Sequence, residues 1–357
     1  MGRRGPTGKS SRSESMEPSA QFRSLCEQII EEIGLGSRTD IMSVESLTGG
    51  VSSDIALVRL AETAGPIGTV CIKCALPQLK VSATWRAPVR RNLAEYRWLS
   101  FVQSILPDAV PKLLGRSERA NGFAMQYISP DDAYLYKTAL LQGQPDTGQA
   151  AQTGRLMATI HSASTKAGFD RPSFDNAPDF YALRLEPYLD FTAARHPTHA
   201  RFLRSLSAGC DAARIALIHG DVSPKNLLIG KRGPVFLDAE CATFGDPAFD
   251  LAFFANHLAI KALHLPDKAD GLLQAARQFW EQYRIGADWE DIDDLQGRFC
   301  ALLPALMLAR VDGKSPVEYL HDTGRDSLRS VALDLLAMRY DKLDDIIEHI
   351  AQHIVAR

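Results

Sequence analysis

Polar side chains that could bind a metal ion or a proton are concentrated between residues 216 and 252. Three short apolar runs occur in this stretch, and Gly, Pro and Asp residues separate them. Such runs are typical of short buried strands, with polar residues in the loops at their ends. We therefore expect four side chains to emerge side by side from neighbouring strand ends: Asp221, Asn226, Asp238 and Glu240.

These residue types suit phosphoryl transfer. One carboxylate can orient and accept the proton of an attacking hydroxyl, and oxygen atoms are the ligands that Mg²⁺ prefers. The His-Gly-Asp that ends in Asp221 also fits an ordinary turn. The more specific signal is an Asp followed five positions later by Asn226, with Asp238 at the end of a later apolar run. Protein kinases have the same spacing between their catalytic Asp and Asn.

The His-Gly-Asp, Asn and Asp-Ala-Glu pattern resembles the aminoglycoside phosphotransferase and choline kinase branch of the kinase-like fold. The resemblance covers nearly the whole chain after residue 20. It implies that Asp221 orients and deprotonates an acceptor hydroxyl, and that His219 and Asp250 hold the catalytic loop in place. It further implies three ligands for Mg²⁺: Asn226, Asp238 and Glu240.

The reaction expected from this resemblance is transfer of the ATP γ-phosphoryl group to a hydroxyl of a small molecule, with ATP and Mg²⁺ as cofactors. Protein kinases have Lys two positions after the catalytic Asp, whereas Ser223 stands there in this chain. Together with the Asp-Ala-Glu triplet, Ser223 argues against a protein substrate.

Residues 48–54 form a glycine- and serine-rich turn between two predicted strands. Such a turn is expected to cover ATP phosphates with backbone N–H groups, although a plain hairpin turn is the alternative. Four residues form this predicted phosphate site: Gly49, Gly50, Ser52 and Ser53. Two interpretations stay open for residues 76–88: a plain surface loop, or a flap over the nucleotide or substrate.

Lys73 lies in an apolar predicted strand, where burial without a partner is costly. In the kinase template such a Lys holds the α- and β-phosphates and pairs with a Glu on the next helix. Glu95 is the only acidic residue of that predicted helix, 89–105. This part of the chain resembles methylthioribose kinase. Backbone groups of three further residues are expected to contact adenine: Gln126, Tyr127 and Ile128.

The implied fold class is α+β, a bilobal protein-kinase-like fold. A small nucleotide-binding lobe at residues 21–128 contains a five-stranded antiparallel sheet and a helix. A large, mostly helical lobe at 129–357 carries catalysis and substrate binding, and 1–20 form a disordered tail. Predicted helices in the large lobe include 268–284, 292–309, 326–339 and 342–354.

The chain has a net charge of −3 and six scattered cysteines. This charge gives no reason to expect nucleic acid or a membrane surface as a partner. The cysteines are expected to be free thiols, with Cys71 and Cys74 on opposite faces of one strand, and the location cytoplasmic. The partner expected is a small hydroxyl compound, and the sequence does not define the oligomeric state.

Three functions compete for this sequence. A small-molecule kinase, with a sugar such as methylthioribose as its substrate, leads. An aminoglycoside-type phosphotransferase is second. In such an enzyme the acidic group at residues 288–294 could bind amines, although a solvated helix start is the more common role of such a group. Arg310 and Lys314 could instead bind an anionic or sugar substrate. A nucleotide-binding pseudokinase is third, although the complete set of predicted catalytic residues argues against it.

Overall fold

The computed structural model describes residues 17–47, 53–75 and 91–356. The chain divides into two compact units. The first unit contains the described residues up to Ala75 together with Leu114–Tyr127. The second contains 91–113 and 128–356, so helix 91–105 groups with the second unit. The predicted lobe limits of 21–128 and 129–357 stay a prediction.

The first unit is a five-stranded antiparallel sheet, as predicted, with one helix packed against it. The strand order is β1-β2-β3-β5-β4. The helix is α1 (Ala20–Glu32), and the strands are β1 (Ile41–Leu47), β2 (Ser53–Leu60), β3 (Thr69–Ala75), β4 (Leu113–Ser117) and β5 (Gly122–Gln126).

Helix α1 begins at a clear capping residue, because the Ser19 hydroxyl accepts a hydrogen bond from the Phe22 backbone at 3.2 Å. Its apolar residues recur at helical spacing and share one core cluster with β1, β2, β3 and β5. Helix and sheet thereby bury each other's apolar faces. At one close approach, a side chain at Gly122 would meet Cys74 Sγ at 2.6 Å and Ile29 at 2.7 Å.

The second unit is mostly helical, and its long helices lie close to the predicted limits. The helices are α2 (Arg91–Ile105), α3 (Tyr136–Leu141), α4 (Thr147–Thr165), α5 (Ala177–Phe180), α6 (Phe191–Arg195), α7 (Ala200–Ala212), α8 (Pro247–His264), α9 (Ala269–Gly286), α10 (Ile292–Asp312), α11 (Asp322–Met338) and α12 (Leu343–Val355). Every residue of α8 from Pro247 to Leu263 is buried, and α8 packs against α9 and α10. This helix is the centre of the unit.

A wide π-helical turn, Tyr181–Asp190, joins α5 to α6 and contains Pro187. Proline cannot donate the regular helical hydrogen bond, and wider turns of this kind often occur at functional sites. The sequence predicted ordinary helix here.

Two small sheets complete the second unit: β6 (Ala133–Leu135), β8 (Leu227–Gly230) and β9 (Gly233–Phe236) in one, and β7 (Ala216–Ile218) with β10 (Thr243–Gly245) in the other. The sequence predicted β7, β8 and β9 but not β6 or β10. The strand before Asp221 therefore pairs with β10, in the register Ile218 to Thr243, and belongs to a different sheet from β8 and β9.

All six cysteines lie in the described residues, are buried and form no disulfide, as the sequence predicted. Within the described ranges, no helix is both long and apolar enough to cross a membrane. The cytoplasmic location stays a prediction. Most of the predicted disordered tail lies outside the described residues, and α1 begins at Ala20.

Candidate active site

The loop after β7 carries His219, Gly220 and Asp221 and has a conformation that requires glycine. Gly220 has a φ of 76°, in the left-handed region. A Cβ at this position would lie 2.8 Å from the Cys241 carbonyl oxygen. Glycine therefore satisfies both the backbone angle and the close approach of the neighbouring chain.

Asp250, in the first turn of α8, holds this loop. Its Oδ2 accepts a hydrogen bond from the His219 backbone N–H at 2.7 Å, and its Oδ1 accepts one from the Gly220 N–H at 2.8 Å. His161 Nε2 lies 3.3 Å from Oδ2, and the other ring nitrogen of His161 lies 2.7 Å from the Tyr283 hydroxyl. The structural role expected for Asp250 agrees with this geometry.

The His219 ring has a defined tautomer. The Asp221 N–H donates to Nδ1 at 3.2 Å, so the proton belongs on Nε2, which lies 3.0 Å from the Leu237 carbonyl oxygen. Burial lowers the pKa of His219 more than nearby carboxylates raise it. A neutral ring packed at 4.8 Å against Trp98 therefore supports the loop.

The Asp221 carboxylate is buried, with only 1% of its surface exposed, and lies between two cations. Arg184 Nη2 is 2.7 Å from Oδ2, and Lys225 Nζ is 3.2 Å from the same atom. Neither contact has the angles of a hydrogen bond, and both carboxylate oxygens lack a hydrogen-bond donor among the described residues. Oδ1, which forms neither of these contacts, thus remains available to a ligand in a buried position.

Electrostatics keep Asp221 ionised. Burial alone would raise the pKa of its carboxyl, but Arg184 and then Lys225 more than offset burial, and the pKa lies below its usual range. The Asp238 carboxylate acts in the opposite direction, which places its charge close to Asp221.

Arg184 belongs to the π-helical turn and is fixed from several sides. Its Nε donates to the Gly220 carbonyl oxygen at 2.8 Å, and its Nη1 donates to the Leu183 carbonyl oxygen at 2.8 Å. Its guanidinium carbon lies 5.8 Å from the centre of the Phe253 ring. The arginine thus connects the loop that carries Asp221, the π-helical turn and α8.

Asn226 is the last residue of a short 3₁₀ turn, Pro224–Asn226, which begins three positions after Asp221. Its Nδ2 donates to the Asp221 carbonyl oxygen at 3.0 Å, which leaves Oδ1 as the atom that could bind a metal. The Leu237 N–H donates to the Asn226 carbonyl oxygen at 2.9 Å. This bond brings Asp238, the next residue, beside the same turn.

Asp238 has a φ of 65°, a left-handed conformation that is uncommon outside glycine. Such conformations persist where the surroundings impose them, and they are frequent at ligand sites. Glu240 is buried, and its Oε2 lies 3.0 Å from Arg91 Nε at the start of α2. At least one Glu240 oxygen therefore belongs to a buried ion pair, and its metal role stays a prediction.

The oxygen atoms near Asp221 suit a hard cation better than a transition metal. Among the described residues, no three His, Cys, Asp or Glu side chains converge as a metal site. Mg²⁺ rarely uses such a cage, because it binds through one or two protein groups together with phosphates and water. Asn226 and Asp238 could supply the one or two protein groups that Mg²⁺ needs.

The residues predicted to bind nucleotide are only partly described. Gly49, Gly50 and Ser52 lie outside the described residues, whereas Ser53 is buried at the start of β2. Lys73 is buried in the middle of β3, opposite Ile55 and Phe123, and Glu95 is buried in α2. The Lys73–Glu95 pair stays a prediction. Gln126 ends β5, and Tyr127 and Ile128 follow it, so their contact with adenine also stays a prediction.

Three residues of the site were not found from the sequence: Arg91, Arg184 and Lys225. Lys225 could have been identified from the sequence, because it lies four positions after Asp221 in the motif itself. Arg184 offered only an arginine within an otherwise mostly apolar helical stretch, 37 residues before Asp221. The acidic group at 288–294 forms a helix start: Asp291 caps α10 and accepts from the Asp293 N–H at 2.8 Å.

The profile of the phosphotransferase enzyme family, APH, matches residues 78–295. The match covers more than half of the chain, and the chain belongs to this family. A search of curated proteins finds no match.

Solved structures share the fold. A choline/ethanolamine kinase family protein from Mesorhizobium loti is 15% identical, with 93% of this chain and 98% of that chain covered and a TM-score of 0.51. An ethanolamine kinase from Plasmodium vivax is 12% identical, with 92% and 93% covered and a TM-score of 0.56. An amicoumacin kinase in complex with AMP-PNP and Ca²⁺ is 14% identical, with 92% and 98% covered and a TM-score of 0.52. The predicted kinase-like α+β fold and the predicted family resemblance are confirmed.

Proposed function

We propose that this phosphotransferase moves the γ-phosphoryl group of ATP, in the presence of Mg²⁺, to a hydroxyl of a small molecule. The observation that carries the proposal is the Asp221 carboxylate, which is buried and ionised, pairs with two cations through Oδ2, and has no hydrogen-bond donor on Oδ1 among the described residues. A buried acceptor left in this state is costly unless a ligand supplies the missing donor. An alcohol hydroxyl is such a donor.

The main role of Asp221 is to position the acceptor hydroxyl, and removal of its proton before phosphoryl transfer is the smaller role. A carboxylate whose pKa is held below its usual range is a weak base, but it accepts a strong hydrogen bond from an alcohol. Phosphoryl transfer has a loose transition state in which the alcohol proton leaves late, so orientation is the larger need. Arg184 and Lys225 keep the carboxylate ionised and fixed for that purpose.

Asn226 and Asp238 are the residues that would hold Mg²⁺, with Glu240 as a further candidate through the oxygen that does not face Arg91. Bound MgATP supplies the phosphoryl group and neutralises charge on its phosphates. Lys73, fixed by Glu95, would hold the α- and β-phosphates, and Gly49, Gly50, Ser52 and Ser53 would cover them. An amicoumacin kinase of the same fold is bound to AMP-PNP and Ca²⁺, which supports nucleotide and divalent-metal use.

The test measures ADP release from MgATP against hydroxyl compounds that include sugars, methylthioribose, choline, homoserine and aminoglycosides. MgATP affinity is measured in parallel by calorimetry, with Asp238→Asn as the metal variant and the exposed Asp270→Asn as its control. The proposal expects acceptor-dependent ADP release, and a Mg²⁺ requirement that rises at least about tenfold in Asp238→Asn alone.

Two results would contradict the proposal. Absence of MgATP binding would exclude a kinase reaction. Tight MgATP binding without ADP release for any acceptor would favour a nucleotide-binding regulator, the pseudokinase alternative. An acceptor that proves to be an aminoglycoside would keep the reaction and identify the antibiotic-modifying alternative.

A further inference from the structure

Burial and four neighbouring cations of the second unit lower the pKa of the His257 ring, and we call these four the cationic cluster: Lys137, Lys225, Lys261 and Arg310. They come from α3, the 224–226 turn, α8 and α10. Helix α3 packs against the 224–226 turn, and α8 packs against α10. The chain therefore brings positive groups together from four separate elements.

The cluster is continuous with the catalytic carboxylate. Lys225 is one of the two cations that contact Asp221. The other, Arg184, lies over the Phe253 ring, and the Phe253 and His257 rings are 5.7 Å apart between centres. One side of the cluster thus reaches Asp221 through direct side-chain contacts.

A second line of contacts leads to Arg310. Tyr188 belongs to the same π-helical turn as Arg184, and its ring centre lies 5.6 Å from that of Phe253. Arg310 Nη1 donates to the Tyr188 hydroxyl at 3.1 Å, and the guanidinium carbon lies 5.8 Å from the centre of the Tyr188 ring.

Two members of the cluster have no carboxylate partner in the described part of the chain. Lys261 is 1% exposed, and its Nζ reaches the His257 carbonyl oxygen at 3.3 Å and the Tyr319 ring at 5.2 Å. Arg310 Nη1 also contacts the Ser315 hydroxyl at 3.0 Å, while its buried Nε has no hydrogen-bond partner.

The acids beside the cluster are Asp221 and Asp238, which raise the pKa of Lys225, and Glu318, with which Lys137 pairs. Burial, followed by Lys137 and Arg310, lowers the pKa of Lys261 to about 7. Buried cations that lack a counter-ion are unfavourable, so a fold that keeps them gains from an anion that binds there.

We propose that the acceptor carries an anionic group, a carboxylate or a phosphate, that binds the cationic cluster while its hydroxyl meets Asp221. This inference rests on the proposed phosphoryl transfer. Lys225 is the donor that an anion can reach directly, since 49% of its side chain is exposed, whereas the Arg310 Nε is a buried donor without a hydrogen-bond partner. Lys261 lies deeper and adds positive potential without direct contact.

The acidic group at 288–294 does not offer an alternative site for a cationic acceptor. Asp288 pairs with Lys166 at 2.6 Å, Asp293 pairs with Lys342 at 2.6 Å, and Asp291 caps α10. Glu290 pairs with Arg298 at 2.6 Å. An amine would have to displace these partners, and near Asp221 it would meet like charges.

The experiment compares hydroxyl compounds that share a framework and differ in charge. One set is glucose, glucuronate, glucose 6-phosphate and glucosamine, and a smaller set is glycerol, glycerate, glycerol 3-phosphate and serinol. Binding is measured by calorimetry in the presence of a non-hydrolysable MgATP analogue that fills the nucleotide site. ADP release from MgATP is measured separately with the same compounds.

The variants are Arg310→Gln and Lys261→Met, with Arg277→Gln on α9 as a control in a surface ion pair. We expect the anionic member of a set to bind at least about tenfold more tightly than its neutral member, about 1.4 kcal/mol, and to lose that preference in both variants. Lys261→Met should unfold at a higher or equal temperature, because it removes a buried ammonium without a counter-ion. A purely structural lysine would instead leave a less stable protein.

The outcomes separate this inference from the proposed function. Four outcomes would overturn the inference. The cationic members could bind most tightly, charge could make no difference to affinity, none of the eight probes could bind, or the preference for anions could be unchanged in Arg310→Gln. Anion binding that is lost in the variants, without ADP release for any compound, would support the anion site and contradict phosphoryl transfer. The affinities for glucuronate and glycerate are compared with those for the two phosphate esters. This comparison shows whether the anionic group of the acceptor is a carboxylate or a phosphate.

Discussion

Arg184 Nη2 lies 2.7 Å from Asp221 Oδ2, although the two residues are 37 positions apart in the chain. The same guanidinium donates to the carbonyl oxygen of Gly220. One side chain therefore fixes both the charge of the proposed catalytic carboxylate and the path of the loop that carries it.

The first prediction concerns the pH dependence of activity. Because Arg184 lowers the pKa of Asp221 below its usual range, the wild-type carboxylate stays ionised as pH falls to about 4, and its loss of activity lies below that. In Arg184→Gln, burial is opposed by Lys225 alone, the pKa of Asp221 rises, and the acid limb of kcat/KM moves toward neutral pH. The profile is measured from about pH 3 to 9, so that it includes the wild-type acid limb.

The control is Arg204→Gln, an exposed arginine on α7, which should leave the profile unchanged. An acid limb at the same pH in Arg184→Gln and wild type would show that Arg184 does not set the charge of Asp221.

The second prediction concerns Asp250. In Asp250→Asn, one of the two buried backbone N–H groups of His219 and Gly220 faces an amide NH₂ in place of an oxygen. One unsatisfied buried donor costs about 1–3 kcal/mol of unfolding free energy, and kcat should fall as the loop loses its position. Urea unfolding and kcat are measured together, with the exposed Asp270→Asn as control. Wild-type stability in Asp250→Asn would contradict the role of Asp250.

The third prediction uses a matched pair of glycines. Gly220 and Gly168 both have positive φ, 76° and 86°, but a Cβ at Gly168 meets nothing within 4 Å. Ala at either position brings backbone strain, whereas Gly220→Ala also pushes against the Cys241 carbonyl. We expect Gly220→Ala to lower the free energy of unfolding by about 1–3 kcal/mol more than Gly168→Ala. Equal losses would mean that the loop moves freely away from the contact.

The fourth prediction concerns Arg91 and Glu240. Arg91→Met leaves the Glu240 carboxylate buried without its ion-pair partner and should cost about 3–5 kcal/mol of unfolding free energy. The double variant Arg91→Met/Glu240→Gln removes both charges and should recover most of that loss. A double variant as unstable as the single one would show that Arg91 acts through other contacts.

The local motif around Asp221 was predictable because its parts are close in sequence. His219, Asp221 and Asn226 lie within one loop and one turn, so their spacing already restricts their geometry. Asp250 was predictable from the resemblance, since it lies in the first turn of the helix that follows the motif. The five-stranded antiparallel sheet was predictable as part of the fold that the resemblance implies.

Arg184 and Arg91 were not predictable in the same way. Each contributes through a contact that joins distant parts of the chain, and a helical apolar pattern gives no sign of which charged residue turns inward. The pairing of β7 with β10 was missed for a similar reason, because three residues of β10 give too short a pattern. The cationic cluster likewise depends on how α3, α8 and α10 pack.

The most direct test of the central claim compares wild type with Asp221→Asn for kcat of ADP release with the best acceptor, with the dissociation constant of MgATP measured alongside. Asn keeps the size of the side chain and removes its charge. The account predicts that kcat falls by about 10²–10⁴-fold while MgATP affinity changes little. A kcat within a few-fold of wild type in a folded Asp221→Asn protein would contradict the assignment of Asp221 as the residue that orients the acceptor.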